Sequence, residues 1–466
     1  MASKNLCGLR IRGSDLNVLK SILFPGDGKE AVAFALCGQS VGPFGIQLLV
    51  REVVPLPTES YQNRSPLETT WNTSAILPLL HRLEEEGLSL LKFHSHPGGL
   101  AEFSEFDDVS DQELLPHCYA WNPRGFHGSV VLTETCATGR IVGANGTFRN
   151  IDTIRVVGSR LRSLNKSKIS IRVSEAQRRL VQAFGEGTYA ELAGLRVAVV
   201  GASGTGSLLI EALVRTGVRQ IVIIDPQSVE DVNLNRILHS TVKDAKTGKY
   251  KVRVAGDALR SIGFDIDIVE MVGSLDDPEV VRAIANCDVV MGCVDNRIAR
   301  QRLCRLAAYY LLPYIDTGVA IHASSSTGEI QSVNAAVHYF EPGQSFIARG
   351  VFSTEALREE AMAKTDPAHH AEQKKAGYVS GVDIERPAVM PLNMIAAGMA
   401  ANELLARIHG YRIGDTEGST AETFIALDLG FAKHGADTRV CKALEPHIGE
   451  GDCIPLLGLA VLTEEA

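Results

Sequence analysis

His94-Ser95-His96-Pro97, followed after six residues by Ser104-Glu105-Phe106-Asp107, sets two imidazoles and a carboxylate at a spacing that suits a metal ion. Imidazole nitrogen and carboxylate oxygen are the ligands of hydrolytic zinc, and three protein ligands leave a fourth position for water, whose pKa falls to roughly 7 there. The same residues have a plainer reading. Ser104 and Asp107 stand in the S-x-x-D relation of a helix capping box, and paired histidines also occur as surface groups. Zinc-dependent base deamination would need a P-C-x-x-C element, and the chain has none.

Positioning these groups requires a strand, a turn and a helix. Residues 88–93 (LSLLKF) form an apolar run of strand length, and His94 and His96 at its end fall on one face if the extended geometry continues. Pro97-Gly98-Gly99 turns the chain, and the polar segment from Ser104 can open a helix that returns Asp107 to the imidazoles. Ahead of the strand, Ile76, Leu79, Leu80 and Leu83 make one apolar helical stripe. GSVVLTE (128–134) and GRIVGA (139–144) read as returning strands, which predicts a mixed α/β unit over residues 1–150.

This pattern resembles the JAMM (JAB, MPN-plus) metallopeptidases, whose signature couples an upstream glutamate to HxH, seven residues, S, two residues and D. The resemblance implies zinc on His94, His96 and Asp107. It implies Glu30, in KEAVAFALCG and in preference to Glu52, as the group that takes a proton from water, and Ser104 as the donor to the oxyanion of the attacked carbonyl.

A second constellation lies further on. LRVAVV (195–200) reads as a buried strand, Gly201 to Gly206 as a glycine turn, SLLIEALVRTG as an amphipathic helix, and QIVIID as a second strand ending in Asp225. Glycines let the backbone approach phosphate, a helix N-terminus offers free N–H groups, and an acid at Asp225 can reach ribose hydroxyls. Ser203 stands where the dinucleotide fingerprint has its second glycine, so an NAD enzyme fits less well. Asn233-Leu234-Asn235-Arg236, then Lys251, then Asp295-Asn296 after DVVMGC add two cations and an acid. Arg236 and Lys251 suit the charge of β- and γ-phosphates, and Asp295 suits magnesium.

In this order the residues resemble the ThiF/MoeB-type adenylyltransferases related to ubiquitin-activating enzymes. The resemblance implies a Rossmann-like, doubly wound parallel sheet binding ATP with magnesium. Gly201, Gly204 and Gly206 would meet phosphate, Asp225 ribose, Asn233, Arg236 and Lys251 the nucleotide, and Asp295 the metal; Arg236 and Asp295 are the catalytic pair. Homodimerisation follows from the same resemblance, and PLNMIAAGMAANELLARIHG, rich in small residues, suits close helix packing there or in the core. Two departures matter. Residues 305–440 contain no cysteine, so the thiol that relatives carry in the crossover loop is missing. PGQSFIARG (342–350) holds Phe346 and Arg349 where relatives carry a zinc-binding CxxC, so no second structural metal is expected.

At 466 residues the chain is too long for one ordinary core. The division read from it is a metallopeptidase domain over 1–150, a basic linker over 151–172 containing Arg155, Arg160, Arg162, Lys166, Lys168 and Arg172, an adenylating domain over 173–430 and a tail over 431–466. The polar stretch 361–387 reads as a loop over a site or a crossing between structural halves. Nine cysteines scattered without a CxxC argue against a disulfide framework and for a reducing, cytoplasmic setting. No apolar run is long enough to span a bilayer, the first residues lack the apolar core of a secretion signal, and a net charge of −9 argues against nucleic acid.

The whole resembles prokaryotic fusions of a JAMM peptidase to a ThiF-type domain. That implies a ubiquitin-like partner trimmed or released by zinc and activated at its terminal carboxylate by ATP, with a conjugating enzyme or a sulfurtransferase downstream. Activation of a sulfur carrier for thiocarboxylate formation, and a scaffold with vestigial sites, are the rival readings.

Overall fold

A computed structural model describes residues 6–165, 173, 175–324, 327, 329–365, 389–412 and 420–463. The chain divides into two compact units. One comprises residues 1–170, 309–311 and 447–466, and the other residues 171–308 and 312–446.

Eleven strands belong to the first unit: β1 (Leu6–Arg12), β2 (Val32–Gly42), β3 (Gly45–Pro55), β4 (Tyr61–Arg64), β5 (Thr69–Trp71), β6 (Ser89–Ser95), β7 (Gly128–Leu132), β8 (Ala137–Val142), β9 (Phe148–Asn150), β10 (Thr153–Val157) and β11 (Arg162–Ser163). Nine of them form one mixed sheet in the order β11-β10-β1-β3-β2-β6-β7-β8-β9, and β4 and β5 make a separate hairpin. The sheet is covered on both faces. Alternate residues of β2 enter different cores: Ala33, Ala35 and Cys37 pack with Leu16, Leu19 and Leu23 of the helix Gly13–Leu23. Val32, Phe34 and Leu36 pack with Leu79, Leu80 and Leu83 of the helix Leu77–Glu86. A strand buried on both sides reads as a continuous apolar run, which is why VAFALC and LSLLKF lack polar alternation.

The stretch read as a basic linker differs from that expectation in its first half. β10 pairs in parallel with β1, Thr153 opposite Gly8 through Val157 opposite Arg12, and Ile154, Val156 and Val157 are buried. Arg155 therefore sits between core residues along a strand and is itself mostly buried, with Nη1 donating to Ser163 Oγ at 2.9 Å. Lys166, Lys168 and Arg172 lie outside the described residues. Residues 447–463 pack on this unit too: the Val41 N–H donates to Asp452 Oδ2 and the Asp452 N–H to the Gln39 carbonyl, each at 2.8 Å.

The second unit carries β12 (Arg196–Val200), β13 (Gln220–Ile224), β14 (Asp267–Met271), β15 (Val289–Gly292), β16 (Tyr314–Ala323), β17 (Ile330–Phe340), β18 (Glu422–Ala426) and β19 (Phe431–Gly435), in the order β14-β13-β12-β15-β16-β17-β18-β19. The first five are mutually parallel and doubly wound. The last three are antiparallel, which extends the expected parallel sheet by a long β16–β17 hairpin and a short edge. Chain order reverses between β12 and β15, so a crevice opens at the carboxyl ends of those two strands, where α/β folds bind ligands. The helix Met390–His409 packs Leu392 and Ala396 against Ala335 of the sheet. Residues 366–388, most of the polar stretch 361–387, lie outside the described residues. No helix among the described residues is long and apolar enough to cross a membrane.

Candidate functional site

Strand register assembles the first centre. β2 runs antiparallel to β6 with Val32 opposite His94, so Glu30, two residues before Val32 and of the same parity, enters on the face that carries His94. Glu52 instead lies on β3 and pairs with Arg82 at 2.8 Å. Asp107 arrives on the helix Glu105–Leu114, whose N-cap is Ser104 with the reciprocal capping box fully formed. The capping reading and the metal reading are therefore compatible. Asp107 Oδ2 accepts from the Ser104 N–H (2.8 Å) and hydroxyl (2.7 Å), which leaves Oδ1 turned to His94 Nε2 at 3.0 Å.

One ligand atom from each of His94, His96 and Asp107 lies within 4.8 Å of the others. His94 Nε2 approaches Asp107 without the alignment of a hydrogen bond, and neither of its ring nitrogens has a hydrogen-bond partner among the described residues. Two buried atoms that converge but do not bond each other are what a shared ion would leave. His96 Nδ1 lies 3.0 Å from the Leu100 carbonyl. A carbonyl only accepts, so that contact keeps the proton on Nδ1 and presents the Nε2 lone pair to the site. Two nitrogens and an oxygen fit zinc in ligand type. Burial lowers the His94 pKa, keeping the ring neutral as a ligand must be. Burial opposes the Asp107 charge, but His94 and the two Ser104 hydrogen bonds outweigh it and hold the carboxyl well below its usual range.

Glu30 is buried, with Oε1 3.7 Å from His96 Nε2. Burial first, then the charges of Asp107 and Glu68, raise its pKa to about 7, the range of a base working at neutral pH. Ser104 Oγ donates to Asp107, so its hydroxyl must turn away from that carboxylate to serve an oxyanion.

Three residues absent from the sequence reading hold this centre together. Lys92 Nζ reaches Asp111 Oδ1 at 2.5 Å, and Arg140 reaches Asp111 Oδ2 at 2.7 Å, with all three side chains buried. Lys92 is two residues before His94 on one strand face, and Asp111 is one helical turn after Asp107. That parity was the available signal.

In the second unit the three glycines have distinct geometric reasons. Gly201 has φ +97°, and a methyl group there would meet the Cys293 carbonyl at 2.6 Å. A methyl on Gly206 would lie 1.8 Å from the Gly201 carbonyl, and one on Gly204 would lie 2.4 Å from Asn393 Nδ2. Asp225 follows β13; its Oδ2 accepts from the Ala202 N–H and its Oδ1 from the Gln227 N–H, both at 2.8 Å, so it braces the glycine turn. Asn233 is buried and accepts from the Glu230 N–H at 3.2 Å. Lys251, also buried, donates to Gln227 Oε1 at 2.7 Å. Arg236 donates to the Val232 carbonyl at 2.7 Å, and its side chain runs beside Gly204. Asp295 is exposed in the loop after β15. The turns after β12, β13 and β15 thus carry the predicted residues to the crevice end of the sheet. Cys304 is a buried core residue, Cys293 is partly exposed after β15, and desolvation pushes both thiols far up. Phe346 and Arg349, in place of a CxxC, form an aromatic and cationic hub: Arg349 lies 4.0 Å over the Phe340 ring and donates to the Ala421 carbonyl.

The chain thus joins a mixed α/β unit with a converged His/His/Asp cluster to a Rossmann-like unit with a glycine turn at its switch point. The chain belongs to the ThiF family, whose model matches residues 175–444, and it joins to that a domain matched over residues 26–138 by the model of prokaryotic homologs of the JAB domain. Among curated proteins, the molybdopterin-synthase adenylyltransferase of Escherichia coli (strain K12) is 38% identical over 109 residues, 23% of this chain and 43% of that protein. SUMO-activating enzyme subunit 2 of Dictyostelium discoideum is 30% identical over 149 residues, 32% of this chain and 22% of that protein. The chain therefore spans less than half the length of either relative. Among solved structures, that of E. coli MccB with ATP has a TM-score of 0.44 at 16% identity, covering 58% of this chain and 74% of that one.

Proposed function

We propose that the chain acts twice on the tail of a ubiquitin-like protein: hydrolysis of a peptide or isopeptide bond in the first unit, and ATP-dependent adenylation of the terminal carboxylate in the second. The observation that carries the first half is the convergence of His94, His96 and Asp107 with Glu30 at their edge. Zinc bound there would acidify a water and polarise the scissile carbonyl. Glu30 would accept the proton of that water and pass it to the leaving amine, and the Ser104 hydroxyl would donate to the developing oxyanion. Membership of the ThiF family carries the second half. There a carboxylate oxygen would attack the α-phosphorus of ATP and pyrophosphate would leave. Arg236 and Lys251 would neutralise phosphate charge, and Asp295 would hold magnesium.

Sulfur-carrier activation is the second reading, favoured by the cysteine-free stretch 305–440, which offers no thiol for a thioester in the crossover loop. Pyrophosphate exchange with a ubiquitin-like protein, combined with metal analysis, tests the proposal. His94→Ala is expected to lose bound zinc and peptidase activity while ATP–pyrophosphate exchange survives, and Asp295→Ala to do the reverse. Loss of both activities in either folded variant would contradict two independent sites.

A further inference from the structure

We infer that Asn393 is a phosphate contact of the nucleotide site, its side-chain amide donating to an oxyanion of ATP beside the glycine turn; this rests on the ATP reading above. Asn393 belongs to the helix Met390–His409, far along the chain from the residues that suggested a nucleotide, and it is only 2% exposed. Its Oδ1 accepts from the Thr205 hydroxyl at 3.1 Å, which fixes the amide plane. Its Nδ2, with two N–H donors, is hydrogen-bonded to no described residue and keeps some access to solvent.

That unpaired group is aimed at a particular place. A methyl on Gly204 would lie 2.4 Å from Asn393 Nδ2 and 3.1 Å from Arg236 Cδ, so the missing side chain at 204 is what lets the amide and the arginine approach the same turn. Gly204 opens the helix Gly204–Arg215, whose N-cap Ser203 supplies no side-chain hydrogen bond. The first-turn N–H groups and the amide of Asn393 therefore offer donors at one spot, beside a cation. Donors without a partner around a helix start suit a phosphate oxygen.

Calorimetric titration of the full chain with ATP, AMP and adenosine, in magnesium, separates these roles. Asn393→Ala is expected to weaken ATP and AMP about tenfold, the loss of one hydrogen bond to a charged group, and to leave adenosine unchanged. Asn393→Asp, of equal size, is expected to weaken both phosphate ligands further by like-charge repulsion and again to spare adenosine. Thr205→Val, which frees the amide to rotate, is expected to give a smaller, phosphate-dependent loss. Equal weakening of all three ligands would mean that Asn393 only packs, and unchanged ATP affinity in Asn393→Asp would also overturn the inference. If the unmodified chain binds no ATP, the nucleotide reading itself fails, an outcome distinct from both.

Discussion

Asp111 illustrates how a single carboxylate can govern a site it does not touch. It is fully buried between Lys92 on the His94 strand and Arg140 on β8, so it ties the helix carrying Ser104 and Asp107 to the strand carrying the imidazoles. Removing one partner of a buried ion network strands the others without compensation. Asp111→Ala is expected to destabilise the first unit by about 3–5 kcal/mol, read as a lowered denaturant midpoint, and to weaken zinc retention although no ligand has changed. His127 makes a second prediction at this scale. Its Nδ1 accepts from the Leu90 N–H at 3.1 Å and its Nε2 lies 3.1 Å from the Asn122 carbonyl, an arrangement that needs the neutral ring. Burial lowers its pKa to about 4 against an unfolded value of about 6.5. The unfolded chain therefore binds the proton first, and the stabilisation is complete above pH about 6.5 and lost as pH falls toward 4. Urea midpoints at pH 7 and pH 5 should differ less in His127→Gln than in the unmodified protein; an equal difference would refute the assignment.

Among elements, β2 and β6 carry apolar residues on both sides because both faces of each are buried. Periodicity places His94 and Lys92 on one side of β6, but only the β2–β6 register brings Glu30 to that side. In the glycine turn after β12, Gly201 and Gly206 answer backbone constraints, whereas Gly204 makes room for the Asn393 and Arg236 side chains. Gly206→Ala would push a methyl to 1.8 Å from the Gly201 carbonyl, a contact that backbone must move to relieve. Gly187, within the helix Arg178–Gly194, has nothing within 4 Å of that position. Gly206→Ala is expected to abolish ATP binding by calorimetry, whereas Gly187→Ala should bind normally and gain about 0.5–1 kcal/mol of stability. Equal behaviour of the pair would remove the close-approach explanation.

At the scale of the whole molecule, the chain's last described residues return to the first unit. A Gly451 methyl would lie 2.2 Å from the Gln39 carbonyl and a Gly38 methyl 2.1 Å from the Gly449 carbonyl, so the segment and β2 touch backbone to backbone. The Gln39–Gly451 bridge continues along β2 beyond Cys37, where its pairing with β6 ends. Deleting residues 447–466 is therefore expected to raise amide exchange at Gln39 and Val41 of β2 while leaving β12 and β13 protected, as followed by hydrogen exchange. Faster exchange in β12 and β13 with β2 unchanged would contradict this assignment.

By itself the sequence determined the chemistry on offer: a donor set of metal-ligand type, a glycine turn between strand and helix, and two cations with an acid in order. It did so because those features are local, set by spacing along one strand, one cap or one turn. Tertiary structure decided what is shared between distant segments. The approach of Glu30 to His96 depends on strand register, the Lys92–Asp111–Arg140 network on helix docking, and Asn393 at Gly204 on a helix almost two hundred residues away closing over a turn. Contacts of that kind leave no periodic trace, since the partners meet only when burial of apolar faces brings their elements together.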